Sequence, residues 1–429
     1  NTSDAAIAAG SRHGSAPSSS ANVGNFTMDH VTFTNVGTAF KHGSGQGTVL
    51  TMTNFEINDA SDACFDLAED SNATLRDGEM TDCNSGGNSW GGAVINYPGS
   101  TGGALYVENV EIEDSLVNLI DVDFRNVWIQ NLTATSATTQ TGAVLNAEGL
   151  GTGSTVFVNN TSADGYSSAA IYSLESVYFE DVDFGSAAVS IAPGGPTSSA
   201  PGPYVGGSSP AMMDNFTSGD LSMARTAPTM HDITVGALSI VGNSPSTNGI
   251  RGTNWDTDGI SISGCGYNVV VETVVSDYIA ASCSNSAAPN NLIMEDVDVT
   301  YTGTQNAIYA RNSAIAIGDG SVSMPSSYDK MSKASTNGRI VLIDVDQDGT
   351  DCESASDCVV SSSSSGGIYF GSLATVKVYK LLDSGSKEWK QDHTVQATVV
   401  DGGSPLFTIG THKTDANGEA SVWVLSEND

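Results

Sequence analysis

Positive charge is what this sequence has least of. Fifteen Lys and Arg face 49 Asp and Glu across 429 residues, for a formal net charge of −34. Such a surface repels nucleic-acid phosphates and anionic lipid headgroups, so neither is expected as a partner. Aromatic residues are scarce too, at 7%. No apolar run reaches the roughly 18 residues that a helical membrane span needs. The sequence holds no C-x-x-C pair, P-loop or dinucleotide-binding fingerprint. Nothing therefore points to a zinc or thiol-redox site, or to a nucleotide cofactor. The six histidines are dispersed without metal-ligand spacing. No signal peptide is visible at Asn1, as expected of a processed or excised chain. Further domains or an anchor are compatible with the strand-like end near Asp429.

What the chain does have is Ser, Thr, Asn, Asp and 47 glycines, with 39% hydrophobic residues. That mixture supports a core built from short strands and many turns, and suits long helices badly. One pattern recurs: apolar, any, apolar, two further residues, apolar, any, apolar. It reads Phe26-Thr-Met-Asp-His-Val-Thr-Phe33, Leu50-Thr-Met-Thr-Asn-Phe-Glu-Ile57 and Leu105-Tyr-Val-Glu-Asn-Val-Glu-Ile112. It returns from Val127, Val177, Leu292 and Ile340, with weaker copies around Asp77, Asn160, Asn215, Asp232, Gly264 and Asp319. Successive copies lie mostly 21 to 34 residues apart, the interval of one solenoid coil.

Alternation of apolar and polar residues makes each run a strand with one buried face. The two-residue step shifts the phase and bends the chain, and Asn, Asp or Gly at the bend tolerates left-handed backbone angles. Later in each coil comes a small residue followed by apolar ones, as in Ala39-Phe40, Cys64-Phe65, Ala93-Val94, Ala143-Val144 and Ala307-Ile308. These read as a third strand. Three strands per turn, stacked coil on coil, predict an all-β right-handed parallel β-helix. About a dozen coils would make a rod roughly 60 Å long. The pattern resembles the β-helices of the pectin-lyase type. An antiparallel β-sandwich is the competing architecture, but it predicts no fixed coil interval.

Residues 1–24, rich in Ser, Ala and Gly, read as a flexible lead or irregular cap. Residues 25–371 carry the coils, with a Pro/Gly-rich loop inserted at 191–210. From 372 to 429 the runs lengthen: Val376–Leu382, His393–Val400 and Ala420–Leu425 read as antiparallel strands. Thr414-Asp-Ala-Asn-Gly-Glu-Ala420 is similar to the last turn of small immunoglobulin-like β-sandwich modules, and the resemblance implies a spacer or an interface to further modules.

Four sets of residues are candidates for chemistry. First, Asp344, Asp346, Asp348 and Asp351 precede or flank Gly349 and resemble calcium loops of the EF-hand and thrombospondin type. Ala355 stands where an EF-hand has its bidentate Glu; a plain acidic turn is the alternative. Second, Thr257-Asp258-Gly259-Ile260 is similar to the Asn-Thr-Asp-Gly motif of the polygalacturonase family, with Asp256 in place of Asn. The resemblance implies carboxylate chemistry through Asp256, Asp258 and Asp277, but one family carboxylate is missing, and no Gly-His-Gly or Arg-x-Lys follows. Third, Trp255, Trp128 and Trp90 are candidate stacking platforms for a glycan. Fourth, sequons at Asn1, Asn25, Asn72, Asn131, Asn159, Asn160 and Asn215 fit a secreted glycoprotein.

Taken together, these features predict an extracellular or cell-surface structural or adhesive protein of the surface-layer, filament or adhesin kind. Its expected partners are further copies of itself, neighbouring surface proteins or glycans, with calcium as a candidate stabiliser and no other cofactor. A polysaccharide hydrolase or lyase and a glycan-binding module are the alternatives. Cysteine spacing supports export. Cys64 and Cys83, Cys265 and Cys283, and Cys352 and Cys358 are 19, 18 and 6 residues apart. In a solenoid, cysteines many coils apart cannot meet the Cα limit for a disulfide. Local pairing in an oxidising compartment is expected, with six buried thiols as the alternative. Native and denatured, unreduced protein should therefore take up no thiol-alkylating label; uptake on any of the six cysteines would overturn the pairing.

Overall fold

A computed structural model of the chain describes all residues except 1–4, 10–23, 43–48, 68–70, 88–91, 97–102, 117, 123–125, 139, 141, 148–153, 172–175, 193–210, 225, 227, 244–248, 285–288, 304–305, 325–330, 383, 402–403 and 426–429. The Pro/Gly-rich loop therefore lies almost wholly outside the described residues. No helix occurs among those described. The chain divides into two compact units, residues 1–238 and 239–429.

In the first unit, eight long strands follow one another: Asn25–Val36, Val49–Ala60, Asn72–Cys83, Ala104–Glu113, Asn126–Thr135, Thr155–Ala163, Ser176–Asp183 and Ala211–Ser218. Each pairs parallel with the next. Between them run short strands, from Thr38–His42 and Phe65–Leu67 through to Leu221–Ala224, which pair parallel among themselves in the same order. The second unit repeats the scheme with Ile250–Cys265, Asn268–Ser276, Asn290–Thr300, Ser313–Ser323 and Arg339–Gln347. Its short strands are Ile279–Ser282, Ile308–Arg311, Ser332–Ser335 and Val360–Ser362. This is the expected parallel β-helix.

One residue bends each of these long strands, and one bends Thr229–Asn243, which pairs parallel with Ala211–Ser218. His30, Asn54, Asp77, Asn109, Asn131, Asn160, Asp181, Asn215 and Asp232 in the first unit all have φ between 44° and 61°. So do Asn254, Thr273, Asp296, Asp319 and Asp344 in the second. All but Asn254 and Thr273 are corner positions that the repeat predicts, and each splits a strand into two legs. Gly264 is not one of them. The corner of that coil is Asn254, and a Cβ on Gly264 would come within 1.3 Å of the Gly242 carbonyl oxygen, so it is a glycine of close approach.

Inward residues of both legs stack in register. Leu50, Met52, Phe55 and Ile57 lie over Ala73, Leu75, Gly78 and Met80, and the seven with side chains are at most 3% exposed. Burying such a side chain contributes about 1.5–3 kcal/mol. Size is shared between coils: a methyl group on Gly78 would meet the Phe55 ring at 2.2 Å, so the Phe fills the space that the Gly leaves.

Corner side chains bond from coil to coil. Asn109 Nδ2 donates to Asp77 Oδ1 at 2.8 Å, Asn131 Nδ2 to Asn109 Oδ1 at 2.7 Å and Asn160 Nδ2 to Asn131 Oδ1 at 2.7 Å. Asn215 donates to Asp181 at 2.8 Å. Three disulfides join Cys64 to Cys83, Cys265 to Cys283 and Cys352 to Cys358, with Cα separations of 5.4, 4.9 and 5.4 Å, in the expected local pairing.

Two ends depart from expectation. Within the supposed irregular lead, Ala5–Ala9 is a strand paired parallel with Thr38–His42, so it adds a layer to the short-strand sheet. At the other end, the boundary at 371/372 falls inside one strand. Gly367–Lys377 pairs parallel with Arg339–Gln347 up to Gly371, then antiparallel with Glu419–Leu425. The run Val376–Leu382 is likewise divided at Val378. Tyr379–Leu381 pairs antiparallel with Lys387–Trp389, and Thr394–Asp401 with Ser404–Lys413.

The corner ladder is testable at Asn131, which both donates and accepts. Asn131→Gly keeps the left-handed backbone but loses both side-chain bonds, and should cost about 1–2 kcal/mol in urea denaturation. Asn131→Ala should cost about 1–2 kcal/mol more, since Ala disfavours that backbone. Equal losses would mean that the ladder, not the backbone, carries the corner.

Candidate functional site

The outward face of the first leg differs sharply between the units. In the first, register places Tyr106, Trp128, Phe157, Tyr178 and Met212 side by side on five successive coils. Strand alternation forces this, because their neighbours Leu105, Val107, Val127 and Ile129 face the core. Tyr106, Trp128 and Met212 are 42%, 46% and 42% exposed. Ring centroids are 6.1 Å apart for Tyr106–Trp128 and 5.0 Å for Trp128–Phe157. Two residues further along the same face runs a polar row, Glu108, Gln130, Asn159, Glu180 and Asp214, in which Asn159 Nδ2 donates to Glu180 Oε2 at 3.0 Å. In the second unit the corresponding row is Val270, Ile293, Ala316, Val341 and Tyr369. Ile293, Ala316 and Val341 are buried there, with Val270 and Tyr369 packed against them. The antiparallel strands Ser404–Lys413 and Glu419–Leu425 approach the strands that carry this row.

The second unit also contains an acidic cleft of about 720 Å³, lined by Asp296, Asp298, Asp319, Asp344, Asp346, Asp351 and Glu353. Asp296, Asp319 and Asp344 are the corner residues of three consecutive coils. Ser321, between Asp298 and Asp346 in the outward row, donates its hydroxyl to Asp298 Oδ1 at 2.6 Å. Of the four residues read from sequence as a calcium loop, Asp344, Asp346 and Asp351 line this cleft. Asp348 instead accepts the Met324 backbone N–H at 3.0 Å. The segment does not wrap as a calcium loop: it turns at Asp348–Gly349 and returns as an antiparallel pair, Asp346 opposite Asp351. Among the described residues, no three Asp, Glu, His or Cys side chains group closely enough to hold a metal ion.

The polygalacturonase-like stretch has another explanation in the structure. Asn254 is a coil corner, so Trp255 and Thr257 point inward, with exposures of 1% and 4%. Trp255 cannot be a glycan platform, because it fills the core opposite Val274. Thr257 donates to Ser276 Oγ at 3.1 Å. Asp256 and Asp258 are exposed on the outward side of one strand, and Asp277 follows Ser276 in the next coil. None of the three lines the acidic cleft. The aromatic platform is at Trp128 instead; alternation gave its outward direction, but only register reveals its neighbours. Trp90 and Asn1 lie outside the described residues.

Four sequon nitrogens are already engaged: Asn131, Asn160 and Asn215 in the corner ladder and Asn159 with Glu180. Asn25 and Asn72 are exposed. The first three also line a shallow groove of about 530 Å³. Comparison with protein-family models, with the curated proteins and with solved structures gave no match.

Several carboxyls are perturbed. Asp29 is lowered to about 2 by hydrogen bonds from Asn54, Thr53 and His30. Burial raises Asp121 despite its bonds from Asn146 and Asn118. Asp66 is 3% exposed and pairs with Lys41 of the preceding coil at 2.7 Å, yet burial outweighs that attraction and raises its pKa. Its Oδ1 has no hydrogen-bond partner. A folded-state pKa raised above the unfolded value means that the folded protein holds the proton longer. The penalty from Asp66 is therefore full at neutral pH and fades as pH falls toward the ordinary carboxylate value of 3.8. Lys41→Met should remove about 3–5 kcal/mol at pH 7 by stranding a buried charge. Its deficit against the unaltered protein should shrink as pH is lowered toward about 4; thermal melts across that range measure it, and a pH-independent deficit would refute the account.

Proposed function

We propose that this protein is an extracellular, cell-surface structural or adhesive component that works by making repeated contacts along its coils. The observation that carries this reading is the open aromatic row from Tyr106 to Met212. The matching row of the second unit is buried, whereas this one exposes three large side chains. A contiguous apolar strip exposed over successive coils marks an interaction site. The three disulfides fit an oxidising compartment. No helix among the described residues is long and apolar enough to cross a membrane. The excess of carboxylates over basic residues favours calcium as a stabiliser of contacts between copies, since hard cations take oxygen ligands.

A second reading, a glycan-binding module, is favoured by the amides Gln130 and Asn159 beside Trp128 and Phe157, a combination of ring faces and hydrogen-bonding groups suited to sugars.

Negative-stain microscopy of the purified chain with calcium and then with chelator tests the main reading. Ordered filaments or sheets are expected with calcium, dissolving on chelation. Single particles under both conditions, together with retention on an immobilised neutral glycan, would move the assignment to the second reading.

A further inference from the structure

Four of the chain's 15 Lys and Arg stand between positions 377 and 390, against two acidic residues there, in a protein of net charge −34. They sit on and beside the hairpin formed by Tyr379–Leu381 and Lys387–Trp389. Its turn is closed by the Leu382 N–H donating to the Ser386 carbonyl at 2.9 Å, with Gly385 at φ 78°. Every residue of both strands is exposed, including Tyr379, Leu381 and Trp389 at 43%, 64% and 43%. Lys377 pairs with Glu419, and Lys390 with Glu388 at 2.6 Å. Lys380 and Lys387 have no carboxylate at ion-pair distance among the described residues. Lys387 lies 4.3 Å from the Tyr379 ring centroid. The hairpin thus combines apolar side chains with exposed positive charge, Lys380 standing opposite Glu388 in the strand register and Lys387 over the Tyr379 ring.

We propose that this hairpin is the assembly contact of the protein, seating on the Tyr106–Met212 row of a second copy. This rests on the reading above that the protein assembles. Complementarity selects the occupant. The row offers exposed rings to Tyr379, Leu381 and Trp389, and the flanking Glu180 and Asp214 offer carboxylates to Lys380 and Lys387, while Glu108 is held by Arg76 at 2.6 Å. It spans about 20 Å over its five coils, enough for a short hairpin. Nucleic acid or an anionic membrane would answer the lysines but meet the repulsion of the remaining surface. The two surfaces differ, so the contact is heterologous: each copy keeps one free hairpin or one free row, and the assembly propagates until it closes into a ring or extends as a filament.

Sedimentation velocity on the full chain tests this. The unaltered protein should associate at low salt and dissociate toward about 1 M salt, where charges are screened within a few ångströms. Lys380→Glu with Lys387→Glu should weaken association by roughly tenfold or more, as should Glu180→Lys. Mixing the two charge-reversed proteins should restore it, since each then presents a partner of opposite sign. Trp128→Ser should weaken association without changing charge. All these side chains are exposed, and circular dichroism confirms that each variant is folded. If the unaltered chain assembles and the lysine reversal leaves assembly intact, the hairpin contact is wrong while the structural reading stands. If the unaltered chain is monomeric at every salt concentration, both fall. Lysine-dependent binding to phosphatidylserine vesicles without self-association would also overturn the proposal.

Discussion

Every coil depends on one residue that accepts a left-handed backbone. In a parallel β-helix the strands have no partners within their own coil, so backbone N–H and C=O groups find theirs in the coils above and below. That ladder continues only if each turn bends at the same place. Fourteen corners with φ between 44° and 61° keep the bends aligned. All fourteen of these corners among the described residues are Asn, Asp, His or Thr, and none is Gly. Glycine would fit the backbone but leave no side chain to join the corners. The Asn ladder therefore serves two constraints at once.

Alignment of the corners decides everything that faces outward. Once register is fixed, a residue on one coil meets its counterpart on the next about 4.8 Å away. Single aromatic residues become a row, and scattered carboxylates become the cleft around Asp319 and Asp344. Neither the row nor the cleft is a motif in the chain. The same alignment explains why the exposed Lys41 pairs with the buried Asp66, since they stand opposite each other on adjacent short strands.

Much of this was legible in the sequence. The coil interval, most corner residues and the local disulfides all follow from spacing. The errors share one cause. Asn254-Trp-Asp-Thr-Asp258 was read as a site motif, but it is the coil pattern with a corner at Asn254, so Trp255 was assigned to the surface when it belongs to the core. Asp344–Asp351 was read as a calcium loop, but its first residues are corner and strand of the same pattern and its remainder an antiparallel return. A solenoid repeat rich in Asp and Asn imitates acidic motifs wherever its corners fall.

The sequence by itself determined the coil, because a period of two with a regular phase shift is a local property that each segment carries alone. Only the tertiary structure decided which outward faces remain open. Alternation separates the inside of one sheet from its outside, and cannot say whether a second layer covers that outside. Ile293 and Trp128 occupy the same position in the repeat. One is buried in a cluster with Ala314, Ala316, Val341 and Ile343 and the other stands in solvent, a difference of packing that the repeat itself does not carry.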